Sequence, residues 1–345
     1  MTVRQKPLDQ QTIVITGATS GIGLATAKAA AAQGAAVVLI ARSADALDAV
    51  ARDITEEGGR ASTLVADVGD ETQVQAVVDK AVEVFGGFDT WINVAGVGVY
   101  GEVMDLPSDE HHRLFQTNYW GVVYGSKAAV RHLQTRDGGG TLITVGSINS
   151  DFAIPLLGAY AASKHAVKGF TDALRMELRH ARTPVQVTLV KPSGIGTPFS
   201  EHARNHTENE PQVAPPVYAP EVVAQAILHA ATHRVRSVTV GGAGRAMVGS
   251  AQLMPRIMDR FFGWSMPKVQ QSDDPKTPGD NLFEGRSEGR LYRTKGPGRG
   301  FSAYTTAVNR PNLSLGVIGL AAAGAAALVL YDRRRSPWRH TTLSR

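Results

Sequence analysis

Tyr160 and Lys164 stand four positions apart in GAYAASKHAVKGFTDALRMEL, a stretch that otherwise has the character of an ordinary helix. At 3.6 residues per turn, positions i and i+4 share one face with Cβ atoms about 5–6 Å apart, so the Lys164 ammonium can sit beside the Tyr160 phenol. A phenol titrates near 10. To work as an acid or base near neutrality it has to fall to about 7, which takes about 4 kcal/mol of preferential stabilisation of the phenolate, and a neighbouring cation supplies part of that. The pair is therefore a candidate proton donor, although by itself it also fits an exposed amphipathic helix with incidental polar residues.

A second candidate is TGATSGIG (16–23), entered directly from the apolar run TIVIT and followed by a helical pattern from Ile22. Gly17 permits a tight turn, Gly21 lets the backbone approach a diphosphate and Gly23 lets helix pack on strand. Thr19, Ser20 and Ile22 then lie at a helix N-terminus that faces phosphate. The spacing is G-x3-G-x-G rather than the commoner G-x-G-x-x-G. At the end of the next apolar run, LIARS, no carboxylate appears before Asp45, while Arg42 and Ser43 stand where a ribose 2′-phosphate could be bound. NADP(H) is therefore expected over NAD(H).

Those residues need a scaffold that brings loops together at one edge. Apolar runs at 12–16, 36–41, 62–67, 90–95, 140–146, 185–191 and 237–242 alternate with helical stretches. Runs that lack polar alternation and are separated by helices predict a doubly wound α/β domain of Rossmann type around a parallel sheet, with ligands at the carboxyl ends of its strands. This single domain is expected over 1–265. The proline-rich polar stretch 197–220 reads as a long loop of the kind that covers a site. Residues 266–312 have the composition of a disordered linker. In QLMPRIMDRFFGW (252–264), Leu253, Ile257, Met258, Phe261 and Phe262 fall near one helical face, which suits a cover for a substrate pocket more than a membrane-surface helix.

Composition narrows the function classes. The 345 residues contain no cysteine, which excludes disulfides and thiolate chemistry. Ten Lys and Arg and one acid, Asp332, fall in 290–345, a net of +9, so the total of +5 leaves −4 for residues 1–289. The body is not a nucleic-acid binder by charge. The basic excess belongs to the tail 332–345 and the chain before it, and points to anionic lipid. Residues 313–331 are uncharged for nineteen positions, a spanning length, though six alanines and three glycines make the run weakly hydrophobic. A membrane anchor is expected there, on a cytoplasmic catalytic domain. The competing expectation is a helix packed on the domain or on another copy in a homo-oligomer. No apolar run of signal-peptide length precedes the first strand, which argues against Sec export. The histidine pairs 202/206 and 229/233 have zinc-like spacing but no third ligand in sight, so no metal is expected. GGAGR (241–245) follows the last strand and reads as its turn.

Taken in order, these motifs resemble the short-chain dehydrogenase/reductase family over residues 10 to about 245. The resemblance implies that Asp67 in ADV contacts adenine with Val68 beside it, and that NVAG (93–96) is the segment after strand four, with Asn93, Ala95 and Gly96 in place and Val94 where a second Asn is usual. It implies an active set of Asn118, Ser147, Tyr160 and Lys164, with Ser147 thirteen residues before the tyrosine. KPSGIGTPF is similar to the family's Pro-Gly segment: Pro192, Ser193 (where glycine is usual), Gly194, Ile195 and Thr197 would hold the nicotinamide carboxamide, Thr197 directly. The implied reaction moves a hydride between NADP(H) and a carbonyl or secondary alcohol. Tyr160 would exchange the proton, Lys164 lower its pKa and bind the nicotinamide ribose, Ser147 donate to the substrate oxygen, and Asn118 hold a water. Ile148, Asn149, Ile154, Pro155, Leu156 and the 197–220 loop would line an apolar pocket. A catalytically idle NADP(H)-binding sensor is the alternative within the same fold.

Overall fold

The apolar runs become the strands of one parallel sheet: β1 (Thr12–Thr16), β2 (Ala36–Ala41), β3 (Arg60–Val65), β4 (Thr90–Asn93), β5 (Gly140–Val145), β6 (Val185–Pro192) and β7 (Ser237–Val240). Their order across the sheet is β7-β6-β5-β4-β1-β2-β3. Strand succession reverses between β1 and β4, which opens a crevice at the carboxyl ends of those two strands. The computed structural model describes residues 3–309 except 277 and 288.

Helices cover both faces: α1 (Gly21–Ala31), α2 (Ala44–Glu56), α3 (Glu71–Phe85), α4 (Ser108–Phe115), α5 (Gly121–Leu133), α6 (Gly158–His180), α7 (Pro220–Thr232), α8 (Gly242–Leu253), α9 (Pro255–Val269) and α10 (Ala303–Asn309). Ile13 and Ile15 of β1 enter a core with Leu24, Leu47, Val223 and Ile227, while Val14 between them enters the opposite core with Val74, Trp91 and Leu133. A strand buried on both sides has no need of polar alternation, which is why β1 and β2 are so apolar, whereas the edge strand β3, RASTLV, is only partly buried.

The 197–220 loop is pinned rather than loose. Its segment Arg204–Asn205 pairs with Val99–Tyr100, and Asn209–Pro211 pairs with Gln271–Pro275. Helix α9 turns Phe262 and Met266 inward on Phe152 and Val248, as a pocket cover should. It leaves Ile257 and Trp264 62% and 67% exposed on the outside.

The linker expected over 266–312 is corrected by the described chain, which stays with the catalytic unit as far as Thr305. It begins inside α9, adds the strand Gln271–Pro275, and then runs along the domain with its carbonyls accepting hydrogen bonds from arginines and backbone amides. Such a segment is held by its backbone, so it needs no apolar period and its composition resembles that of a linker. Of the second unit, 306–345, only 306–309 are described. The apolar run 313–331 and the tail 332–345 lie outside the described residues. Among the described residues no helix is long and apolar enough to cross a membrane.

One buried ion cluster ties the site's elements together. The Asp151 carboxylate, 2% exposed, receives Lys168 of α6 at 2.6 Å and Lys191 of β6 at 2.5 Å. Burial pushes its pKa up, but the two lysines outweigh that and hold it below the ordinary carboxylate value. Asp151→Ala should therefore cost about 2–3 kcal/mol in urea unfolding at pH 7, less than a fully buried pair because Lys168 is one-third exposed. The stabilisation should be present above about pH 4 and fade below it, since the depressed group is protonated only there. A loss under about 0.5 kcal/mol would remove Asp151 from this structural role.

Candidate active site

Lys164 is the buried cation of the set. It lies nearly two turns into α6, is 4% exposed, and donates from Nζ to the Val145 carbonyl at the end of β5 at 3.1 Å. Burial brings its pKa down to about 8. Its Nζ stands 5.7 Å from the centre of the Tyr160 ring, one turn earlier on the same helix face.

Burial pushes the Tyr160 phenol up to about 12, opposed by a hydrogen bond with the Ser147 side chain. The expectation that Lys164 draws this phenol toward neutrality is thus not met in the chain alone: desolvation of the phenolate is the dominant influence. Ser147 is placed by the turn that follows β5, where its Oγ accepts the Asn149 N–H at 3.1 Å and its own N–H donates to Ser150 Oγ at 3.2 Å.

Asn118, fully buried, sits in a π-helical turn, Gln116–Trp120, between α4 and α5. Its Oδ1 accepts the Val97 N–H at 2.8 Å, and its Nδ2 donates to the Val97 carbonyl at 3.0 Å and to Ser163 Oγ at 3.2 Å. The side chain therefore stitches the chain beyond β4 to α6. The extra residue of the π turn lets it point inward, a local irregularity typical of functional sites.

Two cavities meet at this set and share Ile22, Val94, Gly96, Thr197 and Phe199. The first, about 210 Å³, holds Ser147, Tyr160, Lys164 and the 192–195 segment against an apolar wall that includes Ile148, Phe152, Ile154, Leu157, Met247 and Met266. Pro155 and Leu156 do not line it, and α8 and α9 contribute residues that the sequence did not single out. The second runs over Gly17, Thr19, Ser20, Gly21 and Gly23 to Arg42, Ser43, Asp67, Val68 and Ala95. At Gly17 φ is +68° and a Cβ would stand 2.8 Å from Ala95 Cα, while a Cβ on Gly23 would fall 2.0 Å from the Gly17 carbonyl oxygen. Only glycine lets this loop lie so flat against β4 and α1. No side chain caps α1, which starts at the cavity.

Three expected coenzyme contacts are used structurally. Asn93 lines neither cavity: its Oδ1 accepts Trp91 Nε1–H at 2.7 Å and its Nδ2 donates to Ser126 Oγ at 3.2 Å, which locks β4 to α5. Ser43 borders the second cavity while its Oγ caps α2, accepting from Ala46 N–H at 3.3 Å. The Asp67 carboxylate pairs with Arg113 at 2.5 Å. Arg113 and Thr117 escaped the sequence reading because a polar residue in an amphipathic helix carries no signal of its own.

Ser193, at a position where glycine was expected, is accommodated by two other glycines. A Cβ on Gly241 would lie 2.1 Å from Ser193 Oγ and one on Gly244 2.5 Å from Ser193 Cβ. GGAGR, expected as a turn, is instead the N-cap and first turn of α8, and its glycines leave the space that Ser193 requires. The His206 ring bonds Glu110 at 2.6 Å, and His229 stacks on His233. Among the described residues no three metal-ligating side chains cluster.

The groove fits a nicotinamide dinucleotide. It has a glycine cradle that any Cβ would fill, an uncapped helix start, and Thr117 in its wall with a buried hydroxyl that lacks a protein partner, as does Ser193 in the adjoining cavity. A profile described as short chain dehydrogenase matches residues 11–208. The Bacillus subtilis protein described as uncharacterized oxidoreductase YxnA is 40% identical over 336 residues, covering 94% of this chain and 92% of that protein. A short-chain dehydrogenase/reductase from Burkholderia phymatum solved with NAD superposes with a TM-score of 0.66 at 26% identity, over 73% of this chain and 96% of that one. An alcohol dehydrogenase from Thermococcus sibiricus solved with 5-hydroxy-NADP gives 0.58 at 27% identity, over 66% and 95%. With the seven-stranded sheet, the glycine turn and the Ser147–Tyr160–Lys164 set all present, the chain belongs to the short-chain dehydrogenase/reductase family of oxidoreductases.

Proposed function

We propose that the protein is an NADP(H)-dependent oxidoreductase that interconverts a carbonyl and a secondary alcohol on an apolar small molecule. The observation that carries this reading is the convergence of Ser147, Tyr160 and the buried Lys164 on an apolar cavity that joins a dinucleotide groove. A merely nucleotide-binding relative has no need of such a pair. Arg42 and the lack of an acid at the end of β2 support NADP(H).

When bound, the coenzyme supplies or accepts the hydride at its nicotinamide ring. Gly17, Thr19, Ser20, Gly21, Ile22 and Gly23 hold the diphosphate, Asp67 and Val68 flank the adenine, and Ala95, Gly96 and residues 192–197 form the nicotinamide end. Tyr160 Oη gives its proton to the carbonyl oxygen in reduction and takes it back in oxidation. Ser147 Oγ donates a second hydrogen bond to that oxygen. Lys164, with a pKa of about 8, keeps most of its charge at pH 7 and favours the phenolate as the proton leaves. Asn118 holds the loop after β4 in register with α6. The apolar wall selects the substrate class and excludes water from the transfer.

A membrane attachment through 313–331 and the basic tail is part of the proposal. It is supported by the uncharged run, by the +9 segment and by the outward apolar residues Leu253, Ile257, Phe261 and Trp264 with Arg256 and Arg260 among them.

Tyr160→Phe should lower kcat by about a hundredfold or more while leaving NADPH affinity within about twofold, measured by steady-state rates and fluorescence titration. Retention of more than about a tenth of the wild-type rate would exclude Tyr160 as the acid. Arg42→Asp should move the kcat/KM preference toward NADH by about tenfold or more, because it removes a phosphate partner and adds an anion; an unchanged ratio contradicts the NADP(H) reading. In fractionated cells the full chain should pellet with membranes and be released by detergent but not by salt. Its presence in the low-salt supernatant would rule out the anchor.

A further inference from the structure

Arg42 leaves β2 at the rim of the second cavity, and its guanidinium is met by the C-terminal part of the chain. Nη1 donates to the carbonyls of Leu282 and Phe283 at 3.3 and 3.1 Å, and Nη2 to that of Asn281 at 2.5 Å. Arg113 Nε donates to the Leu282 carbonyl as well, at 3.0 Å, while its Nη2 holds Asp67. Two arginines from different elements thus converge on one short strap of backbone.

The strap is seated by its own side chains. Leu282 is fully buried among Val97, Val99, Leu114 and Ala159. Asp280 pairs with Arg204 at 2.9 Å, and the Asn281 N–H donates to the His202 carbonyl at 2.8 Å. At Gly285 the backbone lies so close to the end of β2 that a Cβ would stand 2.9 Å from Arg42 Cβ and 3.3 Å from Ser43 N. Farther on, the Arg290 carbonyl accepts the Gly21 N–H at 3.0 Å. Asn281, Gly285 and Arg286 face the same cavity that Gly17–Gly23, Asp67 and Val68 line from below. The strap itself lies beyond residues 11–208, which the family profile matches.

We propose that residues 280–287 are the outer wall of the coenzyme site, closing over the adenosine half of a bound dinucleotide and positioning Arg42 for its 2′-phosphate; the latter role rests on the NADP(H) reading above. A guanidinium has five N–H donors, so three carbonyls fix its plane without exhausting it. Being neutral acceptors, they leave its charge uncompensated, and an anion can add to it through stronger charge-assisted bonds. A long side chain held in place before the ligand arrives loses less freedom on binding. With floor and wall on opposite sides of the groove, the adenosine end departs when the strap lifts, and the strap lifts when the Leu282 plug leaves its pocket. Leu282 is accordingly a positioning residue, and coenzyme exchange is gated by one apolar anchor rather than by the nucleotide's own contacts alone.

The test uses the full chain and stopped-flow displacement of NADPH and of NADH from the wild type, Leu282→Ala and Gly285→Val, with thermal melts to confirm that each is folded. Gly285 is exposed, so its variant pushes the strap off Arg42 without opening the core. Release of the coenzyme that the wild type prefers should accelerate by about tenfold or more in both variants. The NADPH-to-NADH affinity ratio should narrow by about fivefold as Arg42 loses its carbonyl cage. Release rates within about twofold of wild type in the folded variants would overturn the proposal. Slower release with tighter binding would also overturn it, by making the strap a competitor for the groove. Preference of the wild type for NADH, together with faster release in both variants, would support the wall and overturn the 2′-phosphate role assigned to Arg42.

Discussion

A lysine ammonium sealed inside a protein is costly, and Lys164 is sealed: 4% exposed, with one carbonyl, that of Val145, accepting its proton. Much of the architecture around it follows from keeping that group buried yet charged. The end of β5 supplies the acceptor. The π turn brings Asn118 inward to join the loop after β4 to α6 and so fixes the helix that carries the lysine. Asp151, clamped by Lys168 one turn farther along the same helix and by Lys191, adds a second tie to that helix and secures the turn that aims Ser147. Tyr160 is thereby held one turn from a cation in a place where neither can be well hydrated.

Burial acts on these two groups in opposite directions. It makes the phenol a weaker acid, near 12, and the ammonium a stronger one, near 8. In the chain alone both are pushed toward their neutral forms. A cationic nicotinamide ring in the adjoining cavity would shift that balance toward phenolate, so proton exchange at Tyr160 would be coupled to the state of the coenzyme.

The central strands were legible because strands buried on both faces write apolar runs, and the glycine turn because Gly17 and Gly23 admit no side chain. Tyr160, Lys164 and Ser147 were legible through order and spacing. The direction of the Tyr160 shift was not, since i, i+4 spacing reports proximity and says nothing of desolvation. Asn93 shows the limit of motif transfer: it occupies the right place in the chain, yet its amide serves Trp91 and Ser126. The strap was illegible for a different reason. Part of its hold on the domain is made by the carbonyls of Asn281, Leu282 and Phe283, and any sequence has carbonyls; the side chains that seat it, Leu282 in its pocket and Asp280 on Arg204, are single residues in a polar stretch.

The most direct test of the central claim, that Tyr160 is a half-buried acid whose readiness is set by its neighbours, is its own titration. Phenolate absorbance of the wild type minus that of Tyr160→Phe isolates this one ring. The account predicts a transition near pH 12 for the chain alone and a transition shifted clearly downward with NADP+ present. A transition at the ordinary phenol value near 10, or one that NADP+ leaves in place, would contradict it.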